Sequence, residues 1–224
     1  ETPASSGSWL IDSDNGDVVI AGVGADYSLT PTDGDAVAVP QASVSEFVVN
    51  STTVRVDAAV ISGEVITGSG AVIVTNIESD LDVDLGNIAT STLQATVDST
   101  GGVTFVSSAK FGTAVITVNG VVGEDTDKVA FQEGADLSSA SFVVTAGALL
   151  ELTVGQINTV SQTGPVTGAG DLRLVVPDDE GDNAIEALVV VDLEGGNLTF
   201  DLLDDADTLV LAAGSSIDLG GGNL

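Results

Sequence analysis

Short runs of Val, Ile, Thr and Leu recur along this chain about every ten residues, parted by Gly, Asn, Asp and Ser, and that rhythm leaves room for little besides strands and turns. Val18-Val19-Ile20, Phe47-Val48-Val49, Ala71-Val72-Ile73-Val74, Val115-Ile116-Thr117-Val118 and Leu188-Val189-Val190-Val191 are examples. No long segment carries a helical period with its caps. The expected fold class is all-β. Two turns are especially legible. Asn119-Gly120 lies between Val115–Val118 and Val121-Val122, the chemistry of a type I′ hairpin. Asp98-Ser99-Thr100-Gly101-Gly102 reads as a longer turn.

The runs also echo one another. Ser45-Glu46-Phe47-Val48-Val49 returns as Ala140-Ser141-Phe142-Val143-Val144, and Thr67-Gly68-Ser69-Gly70 as Thr167-Gly168-Ala169-Gly170. Gly102-Val103-Thr104-Phe105 returns as Asn197-Leu198-Thr199-Phe200, and Ala114–Val118 as Asp207–Leu211. The order is kept and the offset is about 95 to 100 residues. A further phrase occurs three times, at Asp35–Val39, Asp127–Phe131 and Asp207–Leu211. Two architectures accommodate this. Tandem β-sandwich-like repeats of about 95 residues fit the period and the Asn-Gly turn. A parallel β-solenoid with coils of roughly 20 residues fits an aromatic content of only 4%, because a narrow core has little room for rings. The sandwich reading divides the chain into an N-terminal segment 1–34, a first repeat 35–126 and a second repeat 127–224. In it the unrepeated 1–34 segment is a candidate donor or docking strand. Val18, Val19, Ile20 and Val23 have the composition to add along a sheet edge of another copy.

Charge narrows the partners. The 34 acidic residues against four basic ones, Arg55, Lys110, Lys128 and Arg173, give a formal net charge of −30. Nucleic acid and anionic lipid bind through clustered Lys and Arg, so both are excluded as partners. Divalent cations, or salt that screens the self-repulsion, are the expected companions. A hydrophobic content of 43% argues for a packed core despite the charge. The chain has no Cys, so no disulfide holds it. The opening Glu1-Thr2-Pro3-Ala4-Ser5-Ser6-Gly7-Ser8 lacks the charged and apolar regions of a signal peptide, which suggests a mature N-terminus or an internal piece. No stretch reaches the roughly 18 apolar residues of a membrane span.

Ala146-Gly147-Ala148-Leu149-Leu150-Glu151-Leu152-Thr153, Val166-Thr167-Gly168-Ala169-Gly170-Asp171-Leu172 and Asp207-Thr208-Leu209-Val210-Leu211-Ala212-Ala213-Gly214 resemble the repeat phrasing of very large secreted bacterial proteins. Those proteins are acidic, Cys-free and β-rich, and belong to adhesin-like, biofilm and cell-surface classes. The resemblance implies an extracellular location. The chain departs from the calcium-binding nonapeptide type, since no Gly-Gly-x-Gly-x-Asp run occurs.

Chemistry is limited by what is missing. With no His and no Cys, the usual general base, the thiolate nucleophile and the soft metal ligands are all absent. A Ser-His-Asp triad cannot be built. Thr67-Gly68-Ser69-Gly70 has no basic residue close behind it and reads as a tight turn rather than a phosphate loop. Paired carboxylates, as in glycoside hydrolysis, are the one catalytic option, and Trp9 and Tyr27 are the only amphipathic rings that could seat a sugar. The expectation is that the protein is not an enzyme. Acidic loops offer hard oxygen ligands for Ca²⁺. Asp12, Asp14 and Asp17 alternate across a Gly-containing turn, Asp178, Asp179 and Asp182 form the densest cluster, and Asp125 and Asp127 precede a strand. Solvated turns in a salt-adapted protein explain the same carboxylates. The expected function is an extracellular structural module of a surface filament, surface layer or biofilm fibre that associates with copies of itself. An adhesin-type module contacting glycan or another surface ligand is the alternative.

Overall fold

The computed structural model describes residues 7–12, 16–78, 82–98, 100–120, 127–160, 166–176, 184–185, 190–202, 210–211, 216–218 and 221–223. The chain is all-β, as its punctuation demands. It opens with β1 (Gly7–Asp12), β2 (Val18–Val23), β3 (Asp26–Pro31) and β4 (Val37–Pro40). β5 (Val44–Asn50), β6 (Thr53–Asp57), the single helical turn α1 (Ala58–Ile61) and β7 (Ile66–Thr75) follow. Next come β8 (Ile88–Asp98), β9 (Val103–Phe105), β10 (Val115–Asn119), β11 (Val129–Phe131), β12 (Ser141–Val144), β13 (Leu149–Thr153) and α2 (Val154–Val160). The last group is β14 (Val166–Gly168), β15 (Asp171–Val176), β16 (Ala184–Ile185), β17 (Val190–Leu193), β18 (Leu198–Leu202), β19 (Val210–Leu211) and β20 (Ser216–Asp218).

From β8 onward, strands consecutive in the chain are not neighbours. From β5 onward each strand pairs in parallel with its counterpart one turn of the chain later. Val54 pairs with Val72, and Ile116 with Phe142, so a coil takes between 18 and 26 residues. β6, β7, β8, β10, β12, β14, β17 and β20 stack in this way into a long sheet, and β9, β11, β13, β15 and β18 into a second. Parallel strands need such long crossovers, because a tight turn can only reverse the chain. This coil-on-coil ladder is the solenoid arrangement, and it corrects the expectation of antiparallel sandwiches. The ladder runs from β8 through β10 to β12, straight across the 126/127 boundary drawn from the sequence.

Alternation explains the packing. β10 and β12 bury every second side chain and leave the others half-exposed. In-register stacking then puts like beside like. Ile20, Val56, Val74, Ala95, Ile116, Phe142, Val166 and Val191 form one continuous buried row across the coils. In the second sheet Val103, Val129, Leu150, Leu172 and Leu198 do the same. Each such side chain contributes about 1.5–3 kcal/mol through burial.

The two echoed phrases mark one corner built twice. Gly68 (φ 116°) and Gly168 (φ 117°) turn the chain over the carbonyls of Val49 and Val144 in the coil before, and a Cβ at either would overlap that carbonyl. The offset of about 95 residues is therefore four coil steps, from β5 to β12, rather than one domain. The Asn119-Gly120 hairpin is also corrected. β10 has parallel partners on both sides, β8 and β12, and Gly120 (φ 136°) leads the chain off the end of the sheet. The thrice-repeated phrase falls on β4, β11 and β19, which sit in three unlike pairings, so it marks no shared position.

Candidate functional site

The N-terminal segment is the first coil. β1 pairs with β5 and β2 with β6, while β3 and β4 form an antiparallel extension on the outer edge of β2. Of the proposed self-assembly strand, Val18 and Ile20 are buried and Val19 and Val23 exposed. β2 is hydrogen-bonded to β3 along its whole length and to β6 at Val18–Ile20, so among the described residues only Ala21–Val23 have one unpaired edge. Among the described residues β1 pairs with β5 alone. Trp9 packs against the core and donates to the Ser43 carbonyl at 3.4 Å. Tyr27 is buried against Phe47 and donates its hydroxyl to Glu64 at 2.9 Å. Burial, then Glu64, raises its pKa to about 12. Both rings brace the fold instead of forming a sugar platform.

Of the carboxylates proposed for Ca²⁺, Asp12, Asp17 and Asp127 lie within the described residues. Asp17 pairs with Arg55 at 3.0 Å, and Asp127 accepts the Gly101 N–H at 2.8 Å. Asp12 lies exposed at the end of β1. Asp14, Asp125, Asp178, Asp179 and Asp182 lie outside the described residues. Among the described residues no three potential ligands converge on a metal position. A notch of about 320 Å³ opens at the corner beside Ser51, Ser69 and Ser91. Its hydroxyls close the corner: Thr52 donates to the Gly16 carbonyl, and Ser91 to those of Ser69 and Gly70.

Charge is concentrated on particular flanks. Lys110 sits in the ladder between Asp84 and Asp136, with its ammonium 2.9 Å from Asp84. That hydrogen bond holds the Asp84 carboxyl below its ordinary pKa and raises Lys110. Hydrogen bonds from Ser138 lower Asp136 in the same direction. On the outer face of the second sheet, Glu151 takes Lys128 at 2.6 Å and Arg173 at 3.5 Å. All four basic side chains are therefore ion-paired. A second ladder stacks amides: Asp171 accepts from Asn197 at 2.8 and 2.9 Å, and Asn197 accepts from Asn223 at 3.2 Å. Sequence reasoning missed it, although Asp192-Leu193-Glu194-Gly195-Gly196-Asn197 and Asp218-Leu219-Gly220-Gly221-Gly222-Asn223 carry its 26-residue spacing openly.

The outer face of the long sheet is different. From β7 to β14 the two middle rows of outward side chains are uncharged. Ile73, Gln94, Val115 and Ser141 form one row, and Thr96, Thr117, Val143 and Thr167 the next. Charge returns at Glu46 on β5, which accepts from the Thr67 hydroxyl of β7 at 2.6 Å, at Arg55 and Asp57 on β6, at Asp98 closing β8 and at Asp192 on β17. Rows on neighbouring strands stand about 4.8 Å apart. No aromatic ring points outward here among the described residues.

Fold and faces together define a class: an all-β protein of stacked parallel coils, with an uncharged stretch on the long sheet among the described residues. No protein-family model, no curated protein and no solved structure matches the chain.

Proposed function

We propose that this chain is an extracellular structural module, a length of stiff acidic rod from a surface filament, surface layer or biofilm fibre. The observation that carries the reading is the unbroken parallel ladder. Each coil is hydrogen-bonded to the next from β2 to β20, so bending the body breaks backbone bonds in two sheets at once. Ion pairs and the Asp171–Asn197–Asn223 stack tie successive coils along the same axis. Durability outside a cell follows. Trypsin cleaves only at the four basic residues, of which Arg55 and Arg173 lie within paired strands and Lys110 at a parallel bridge.

Negative-stain microscopy of the purified protein at molar NaCl is the test. Ordered fibres or lattices support the structural module. Discrete particles that gain thermal stability only with an added glycan favour the adhesin reading, for which the uncharged face offers a contact surface. Calcium belongs to this proposal as a brace of the acidic loops, and an unchanged melting temperature in excess chelator removes it.

A further inference from the structure

We propose that the uncharged outer face of the long sheet, β7 to β14, is where two copies of this chain pack together, and that screening by salt controls the contact. The proposal rests on the structural-module reading and names the surface that reading requires. At −30 a second copy is repelled wherever carboxylates face carboxylates. Only a face without charge lets two such bodies touch. A cationic partner would be drawn to the carboxylates of the other flanks, and a sugar would find no ring to stack on. What the face does present is β-branched: Ile73, Val115, Thr117 and Val143 in adjoining rows of the in-register ladder. Rows of this kind interdigitate with their own copies, as the inner faces of packed sheets do.

Size and rim set the conditions. The face spans five strands at about 4.8 Å spacing, a footprint of roughly 300–400 Å² per copy. A standard stable interface takes about 800 Å² per partner. The contact is therefore weak for one module, and the acidic rim at Asp57, Asp98 and Asp192 opposes it until salt shortens the screening length from about 10 Å at 0.1 M to about 3 Å at 1 M. An arrangement held by attraction between charges would weaken over that range. This one strengthens.

Sedimentation velocity of the full chain at 0.05 and 2 M NaCl tests the proposal. The expected result is monomer at low salt and concentration-dependent association at high salt. Thr117→Asp weakens that association at least tenfold, and Ser141→Asp repeats the result should the first variant misfold by circular dichroism. Thr104→Asp, on the exposed face of β9 in the second sheet, leaves it unchanged. Equal association in the Thr117 and Thr104 variants overturns the face and leaves self-association standing. Absence of association at any salt overturns both.

Discussion

The coils around β7 and those around β11 solve the same packing problem with different side chains. Near β7 the core is narrow: Val72, Val74, Leu93 and Ala95 fill it, and Val72 meets Leu93 only 21 residues on. Near β11 the coil lengthens. Phe105 meets Phe131, and Asp84 meets Lys110 and then Asp136, at steps of 26. The wider section is filled by rings. Phe105 and Phe131 stack at 5.1 Å, Phe111 stands edge-on to both, and Phe142 meets Phe131 at 5.7 Å. A longer coil encloses more cross-section, and a close-packed interior must fill it. In this section the longer coil therefore goes with larger side chains and gathers four of the six Phe residues, while Phe47 packs on Tyr27 at the 19-residue step from β5 to β7.

Removing a ring from the wide section tests that rule most severely. Phe131→Ala, which strips the ring touching three others, is expected to lower unfolding free energy by about 3–5 kcal/mol in urea titrations. Val74→Ala in the narrow section should cost less, about 1.5–3 kcal/mol. Equal losses would break the comparison. The reverse substitution sharpens it. Ala95→Phe forces a ring into the narrow section and should cost about 1–3 kcal/mol by overpacking. Gly168→Ala and Gly68→Ala probe the corner both sections share, and each should lose about 1–3 kcal/mol from backbone strain. A loss at one and not the other would deny that the two corners are equivalent.

The smallest effect is electrostatic. Asp84 and Asp136 both have lowered pKa values, through hydrogen bonds from Lys110 and Ser138 respectively. Their stabilisation is present above the ordinary carboxylate range and is lost as pH falls through the lowered values of the folded state. Asp136→Asn should therefore lower the neutral plateau slightly and flatten the acid limb of a stability–pH profile. Added NaCl should raise the plateau itself, by screening a charge of −30.

Much of this was open to reading in the chain, and the misreadings have physical causes. Alternating runs such as Val115–Val118 identify strands wherever they end up. They do not say which strand lies alongside, because parallel partners are set by coil length and not by a turn. Asn119-Gly120 shows this: Gly120 takes the positive φ its type favours, but β10 has β8 and β12 in parallel on its two edges and no hairpin partner. The corner phrases Thr67–Gly70 and Thr167–Gly170 were seen and given the wrong period, since only corners of one shape repeat every fourth coil step. The 26-residue step of the wider coils shows in Asp84-Leu85-Gly86 and Lys110-Phe111-Gly112, where charge alternates to suit the ladder and hides the likeness. The uncharged face was not visible at all. It is assembled from single residues on strands far apart in sequence.

Coiling itself is the claim on which every face and row depends, and Thr104 and Thr199 test it directly. Both are exposed, lie on the two edge strands of the second sheet, and are 95 residues apart, so the sequence echo would make them equivalent points in separate domains. The Cys-free chain accepts a pair of spin labels there without a competing thiol. Four ladder steps from β9 to β18 put the Cα atoms about 19 Å apart, so pulsed electron–electron resonance should give a narrow peak below about 28 Å once the label arms are added. A peak beyond roughly 35 Å, as expected for two compact domains of about 95 residues set end to end, would contradict the stacked-coil account.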